Sequence, residues 1–199
     1  MKTSTVVCIG ASAGGVQAIA RILSGIPKLF PFPIVVVQHI APQAQISPRL
    51  IFGSHFSGQV IEALDKMSLD PGNAYFAPPG YHLLIESDSS LALSQDDPVK
   101  YARPSIDVFF ESAADSLAKD TVAILLTGAS DDGASGLRDV QRCGGVAIAQ
   151  DPRTAEVPTM PQAAIDLFHP DHVLDLEGIT RYLKQLSERG NEACHETRC

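Results

Sequence analysis

The sequence predicts a doubly wound α/β domain: a mostly parallel sheet with helices on both faces and a small antiparallel hairpin. Three observations predict it. Four segments, "TVVCIGA" (5–11), "FPIVVVQ" (32–38), "TVAILLTG" (121–128) and "GVAIAQ" (145–150), are continuous apolar runs rather than alternating ones. Strands buried on both faces read this way, and helix-covered parallel sheets are where such strands occur. Segments of helical periodicity lie between and after these runs. Finally, 199 residues, 45% hydrophobic and 19% charged, supply one domain with a real core and not comfortably two.

Each element has its own signal. The first strand runs into a glycine-rich turn and then "GGVQAIARILSGI". There Val16, Ile19, Ala20 and Leu23 share one helical face, and Gly25 and Pro27 close the helix. The second strand, 32–38, follows. Residues 72–95 alternate and are rich in turn formers. They read as a strand and then a hairpin of His82–Ser87 and Leu91–Gln95 around Asp88-Ser89-Ser90. "RPSIDVFFESAADSLAKD" (103–120) has Pro104 suited to a first helical turn and Ile106, Phe109, Phe110, Ala113 and Leu117 on one face. The third strand, 121–128, precedes a shorter helix, "GASGLRDVQRCGG", that ends at glycines before the fourth strand. "DPRTAEVPTMPQAAI" (151–165) is a proline-rich connection in which Pro161 suits a helix start. "EGITRYLKQLSERG" (177–190) is a final amphipathic helix, so the expected domain covers 1–190 and a polar tail covers 191–199. No internal repeat or low-complexity linker interrupts it.

Composition excludes several function classes. A formal net charge of −8 disfavours nucleic acid, because phosphate binding needs clustered Lys and Arg. "MKTSTVVCIG" carries no secretory apolar region, and no run approaches the ~20 residues of a membrane span. Cys8 lies in an apolar run and reads as core. With no CxxC pair, the expected setting is reducing and cytoplasmic, without membrane insertion. Cys194, His195 and Cys199 are close in sequence but give three ligands on a tail, so no metal site is expected.

The turn "CIGASAGGVQAI" holds a phosphate or presents a nucleophile. Gly10 and Gly15 have P-loop spacing, but Val16 and Gln17 stand where Lys and a hydroxyl belong. Ser12 replaces the second glycine of a dinucleotide fingerprint. Ser12 as nucleophile is the other reading, since it follows a strand C-terminus and adjoins a helix N-terminus. "GASAG" fits the GxSxG string, but in α/β-hydrolases that serine follows a later strand, whereas here it opens the chain. Alone, Ser12 is read as a helix N-cap. However, His39 ends another strand, and Asp131 and Asp132 end a third. In an open parallel sheet these ends share one rim, where ligands bind. A Ser-His-Asp hydrolase follows: Ser12 attacks a carbonyl, His39 removes its proton, and an aspartate orients the imidazole.

At these residues the chain resembles the catalytic domain of the protein-glutamate methylesterases of bacterial chemotaxis, the CheB family. The matching segments are "IGASAGG", "PIVVVQHI", "YFAPPGYHL", "RPSIDVFFESAA", "ILLTGASDDGASG" and "AIAQDPRTAEVPTMPQAAI", in family order from Val6 to His172. The resemblance covers the catalytic domain and not the receiver domain that usually precedes it. It implies Ser12 as nucleophile, His39 as base and Asp132 as acid, because the family acid immediately precedes Gly-Ala, here Gly133-Ala134. It implies an oxyanion and substrate neighbourhood at Ala13, Gly14 and Ala129. It implies too that 151–165 is a rim loop beside the site, with Met160 and Pro161 lining the pocket. The implied reaction removes methyl groups from glutamate esters on chemoreceptor cytoplasmic helices, releasing methanol, and extends to deamidation of receptor glutamines. Neither reaction needs a metal or cofactor. Two departures adjoin the oxyanion region: Ala13 replaces the family's usual Thr, and Ala129-Ser130 replaces Met-Gly. They motivate a competing reading, a serine esterase acting on another small ester or amide; a second competitor is a catalytically weak receptor-binding module, against which retention of Ser12, His39 and Asp132 speaks.

Overall fold

The computed structural model describes residues 5–40 and 47–196. Val6–Ala11 forms β1, buried throughout, and leads into α1, Gly15–Gly25. Next come β2 (Ile34–Gln38), α2 (Pro48–Phe52), β3 (Val60–Glu62) and β4 (Ala74–Phe76). A hairpin follows, β5 (His82–Ile85) and β6 (Leu91–Ser94), and then α3 (Ile106–Leu117). The chain closes with β7 (Thr121–Leu125), α4 (Ala134–Arg142), β8 (Val146–Gln150), α5 (Thr159–Leu167), β9 (His172–Leu174) and α6 (Leu176–Glu196).

Seven strands make one parallel sheet in the order β3-β4-β2-β1-β7-β8-β9, and β5 and β6 form a separate antiparallel pair. The predicted fold class is the observed one. Alternation along β1 explains its two coats. Val7, Ile9 and Ala11 pack with Ile19 and Ile22 of α1 and Ile179 and Leu183 of α6. Val6 and Cys8 join Phe109 and Phe110 of α3, Leu137 of α4 and the hairpin's Leu83. Fully burying one such aliphatic side chain contributes about 1.5–3 kcal/mol.

The strand order reverses beside β1. From β1 the chain passes through α1 to β2 on one side; from β7 it passes through α4 to β8 on the other. Since α1 and α4 coat opposite faces, the loops after β1 and β7 diverge and leave a crevice at their C-terminal ends.

Boundaries differ from the sequence reading where one residue changes the backbone's options. Pro104 does not open α3: Ser105 has extended backbone and caps the helix, accepting a hydrogen bond from the Val108 N–H at 3.4 Å. The second strand starts at Ile34 because Pro33 has no N–H for a ladder. The connection 151–165 is partly helical, since α5 begins at Thr159. The last helix passes Gly190 to Glu196, so the expected polar tail begins as helix. The side chains of Cys194, His195 and Cys199 lie outside the described residues. Among the described residues no helix is long and apolar enough to cross a membrane.

Candidate active site

The register of β1 fixes what lies beyond it. Ala11 pairs with Gln38 of β2, and Gly10 with Leu125 of β7. Ser12 therefore leaves the sheet level with His39 and Thr127. Two backbone bonds extend the alignment past the strands: the His39 N–H donates to Ala11 O, and the Ser12 N–H to Thr127 O, each at 2.9 Å.

Ser12 is half-buried, and the chain turns sharply after it into α1. Gly14 occupies the N-cap position with φ of 76°, a left-handed angle that favours glycine. The Gly15 N–H turns back to Ser12 O at 2.8 Å. Among the described residues the N–H groups of Ala13 and Gly14 make no hydrogen bond. They lie at a helix N-terminus, which favours negative charge. Ala13 and Ala129 are exposed.

Asp132 is fully buried, and both its oxygens are saturated. Oδ1 accepts from Ser105 Oγ at 2.8 Å and from the Asp107 N–H at 3.0 Å. Oδ2 accepts from the Ile106 N–H at 2.7 Å and meets His39 Nε2 at 2.9 Å. Four donors fill the lone-pair sites of an ionised carboxylate. Burial pushes the Asp132 carboxyl up. The bonds from His39, Ile106, Asp107 and Ser105 outweigh it and hold the group below its ordinary value. An anion at Asp132 accepts only, so His39 Nε2 is the protonated nitrogen and Nδ1 carries the free lone pair. Among the described residues no hydrogen bond joins the Ser12 hydroxyl to His39; such bonds commonly tighten only when substrate is bound.

Asp132 precedes α4 yet caps α3, and Asp107, in the first turn of α3, caps α4 in return. Asp107 Oδ1 accepts from the N–H groups of Gly133 and Gly136, each at 2.9 Å. Its Oδ2 pairs with Lys100 Nζ at 2.9 Å, and Lys100 also reaches Asp131 Oδ2 at 3.1 Å. The two neighbouring aspartates are thereby separated in role. Asp131 is exposed and tied to a lysine, whereas Asp132 is buried against His39.

The rest of the rim is support. Met160 and Pro161 are buried, and a Cβ placed on Gly128 would meet Met160 Cε at 2.5 Å and Ser12 Cβ at 2.9 Å. Met160 thus backs Ser12 through Gly128 rather than facing solvent. Thr127 Oγ1 donates to Ala13 O at 2.9 Å and accepts from the Val157 N–H at 2.9 Å, joining the turn after Ser12 to the loop before α5. The Arg103 guanidinium donates to the carbonyls of Gln95 and Asp96, which leaves it a loop clasp. Buried His82 accepts from the Ser105 N–H at Nδ1 and donates through Nε2 to Asp97 O. Sequence reasoning missed Ser105, Asp107 and Thr127. Only Ser105 carried a signal, as a hydroxyl before an apolar helical face. Among the described residues no group of three or more His, Cys, Asp or Glu side chains is arranged to hold a metal.

The family model described as CheB methylesterase matches residues 7–183. A Leptospira interrogans protein assigned as a protein-glutamate methylesterase/protein-glutamine glutaminase is 40% identical over 186 residues, 94% of this chain and 96% of that protein. The Myxococcus xanthus protein-glutamate methylesterase FrzG is 35% identical over 179 residues, 90% of this chain and 54% of its own length. This chain therefore spans nearly all of the first relative and about half of the second. The crystal structure of the Thermotoga maritima CheB methylesterase catalytic domain superposes with a TM-score of 0.86 at 34% identity, covering 92% of this chain and 98% of that one.

Proposed function

The chain belongs to the CheB methylesterase family, and from that membership we propose that it is a serine hydrolase removing methyl esters from glutamate side chains of a protein substrate. The finer reading is that the substrate is the cytoplasmic helices of chemoreceptors, so that the enzyme works in the cytoplasm. The His39–Asp132 pair, 2.9 Å long and level with Ser12, is the observation that carries the reaction type.

In this mechanism His39 Nδ1 takes the Ser12 proton as Oγ attacks the ester carbonyl carbon. The tetrahedral oxygen draws the unpaired N–H groups of Ala13 and Gly14 at the α1 N-terminus. The imidazolium, stabilised by ionised Asp132, returns its proton to the departing methoxide, and methanol leaves. Water then attacks the acyl-enzyme with His39 again as base, giving the glutamate carboxylate and free Ser12. Deamidation of a glutamine side chain follows the same steps with ammonia as leaving group. Backbone donors also account for the substitutions at Ala13 and Ala129-Ser130, because N–H groups survive a side-chain swap.

The test is methanol release from methylated chemoreceptor cytoplasmic fragments, with wild type beside Ser12→Ala. Release that vanishes in the variant is the expected result. Absence of release from folded wild type, together with turnover of small esters, would move the assignment to another ester.

A further inference from the structure

We propose that Gln38 is a positioning residue that ties the backbone of the nucleophile to the backbone of the base. The inference rests on Ser12 being the nucleophile. Gln38 is the last residue of β2 and only 9% exposed. Its side-chain Nε2 has two protons and two partners: Ser12 O at 2.8 Å and His39 O at 3.0 Å. The backbone ladder between β1 and β2 ends at the Ala11–Gln38 pair. Beyond the last backbone bond, from the His39 N–H to Ala11 O, the chains diverge and the amide supplies a side-chain rung.

Peptide planarity gives that rung a consequence. The Ser12 carbonyl and the Ala13 N–H belong to one trans peptide unit, so they point in opposite directions. Gln38 and the Gly15 N–H hold the carbonyl from the protein side. The Ala13 N–H is thereby aimed away from them, toward the crevice. Gln38 thus fixes an oxyanion donor without touching substrate, and its second bond fixes the carbonyl of His39.

Two further observations separate this role from space filling. Among the described residues Gln38 Oε1 is buried and has no hydrogen-bond partner. A buried acceptor without a partner is unfavourable, and an apolar side chain of similar length would avoid the penalty. In addition, a Cβ on Gly15 would collide with Gln38 Oε1, so the first residue of α1 leaves room for the amide.

The experiment compares wild type with Gln38→Met, which keeps the length and loses both donors. Labelling of Ser12 by a fluorophosphonate, a probe that needs an aligned base and oxyanion donor but no receptor, is followed by mass spectrometry beside thermal melting. The expected result is a melting temperature no lower than wild type and labelling slowed ~10–100-fold, the scale of a small misplacement. With p-nitrophenyl acetate the loss falls on kcat and leaves KM nearly unchanged. Labelling within twofold of wild type overturns the proposal while leaving Ser12 as nucleophile. Wild type that does not label overturns the nucleophile reading itself, and the proposal with it. Gln38→Leu is read in the same way if Gln38→Met does not fold; failure of both to fold assigns Gln38 to structure alone and also overturns the proposal.

Discussion

At the scale of single residues, Asp132 has the most demanding environment. Its charge is removed from water and returned four hydrogen bonds, which favour the anion over the neutral acid. The linkage has a definite sign. A carboxyl whose folded value lies below the ordinary ~3.9 contributes stability that is complete above that value. The contribution is lost as pH falls through the lower, folded value. Urea melts between pH 7 and pH 3 are expected to show wild type losing stability below about pH 4 more steeply than Asp132→Asn. Parallel curves would mean that the carboxylate is not preferentially held as its anion. The same variant is expected to lose activity by up to ~10⁴-fold, because an amide can offer its NH₂ to His39 and reverse the tautomer. Asp131→Asn, one residue away and exposed, is expected to leave turnover within a few-fold of wild type.

At the scale of elements, α3 and α4 begin by capping each other through Asp107 and Asp132. Asp107→Ala removes the acceptor for two helix N–H groups and leaves Lys100 facing Asp131 alone. The expected destabilisation is about 1–3 kcal/mol in urea unfolding, with turnover falling as well because Gly133 adjoins the proposed acid. Asp107→Asn keeps an acceptor oxygen and is expected to recover most of the stability; equal loss in both variants would contradict the capping assignment. Legibility in sequence divides along the same line. Strands β1, β2, β7 and β8 announced themselves by buried apolar runs. Three-residue strands such as β3 and β9 are too short for any period to register, and their pairing comes from the sheet they join. Ser12, His39 and the pair Asp131-Asp132 were legible as candidates because each follows a recognisable strand, and the choice of Asp132 came from the family resemblance. Gln38 and Asp107 were not, and Ser105 was legible as a helix cap but not as a partner of Asp132, since their partners lie 25 or more positions away in Ser12 and Asp132.

At the scale of the whole molecule, the sheet separates two cores and sets the chemistry at one edge of both. Cys8 reports on that interior. It is fully buried in β1, burial pushes its thiol up, and Cys143 is free and exposed. A maleimide followed by peptide mapping is expected to label Cys143 in the native protein and Cys8 only in denaturant. Native labelling of both at similar rates would place β1 outside the core. The double duty of Asp132 reaches further still. One carboxylate both orients His39 and closes the first turn of α3, so selection for folding alone preserves it. Among the described residues the Ser12 hydroxyl makes no hydrogen bond and so has no comparable second duty. A descendant gene that abandons the chemistry is therefore expected to lose its serine more readily than its aspartate, which an alignment of such genes would check. In telling living enzymes from retired ones within such a lineage, the serine is the informative letter and the aspartate is nearly silent.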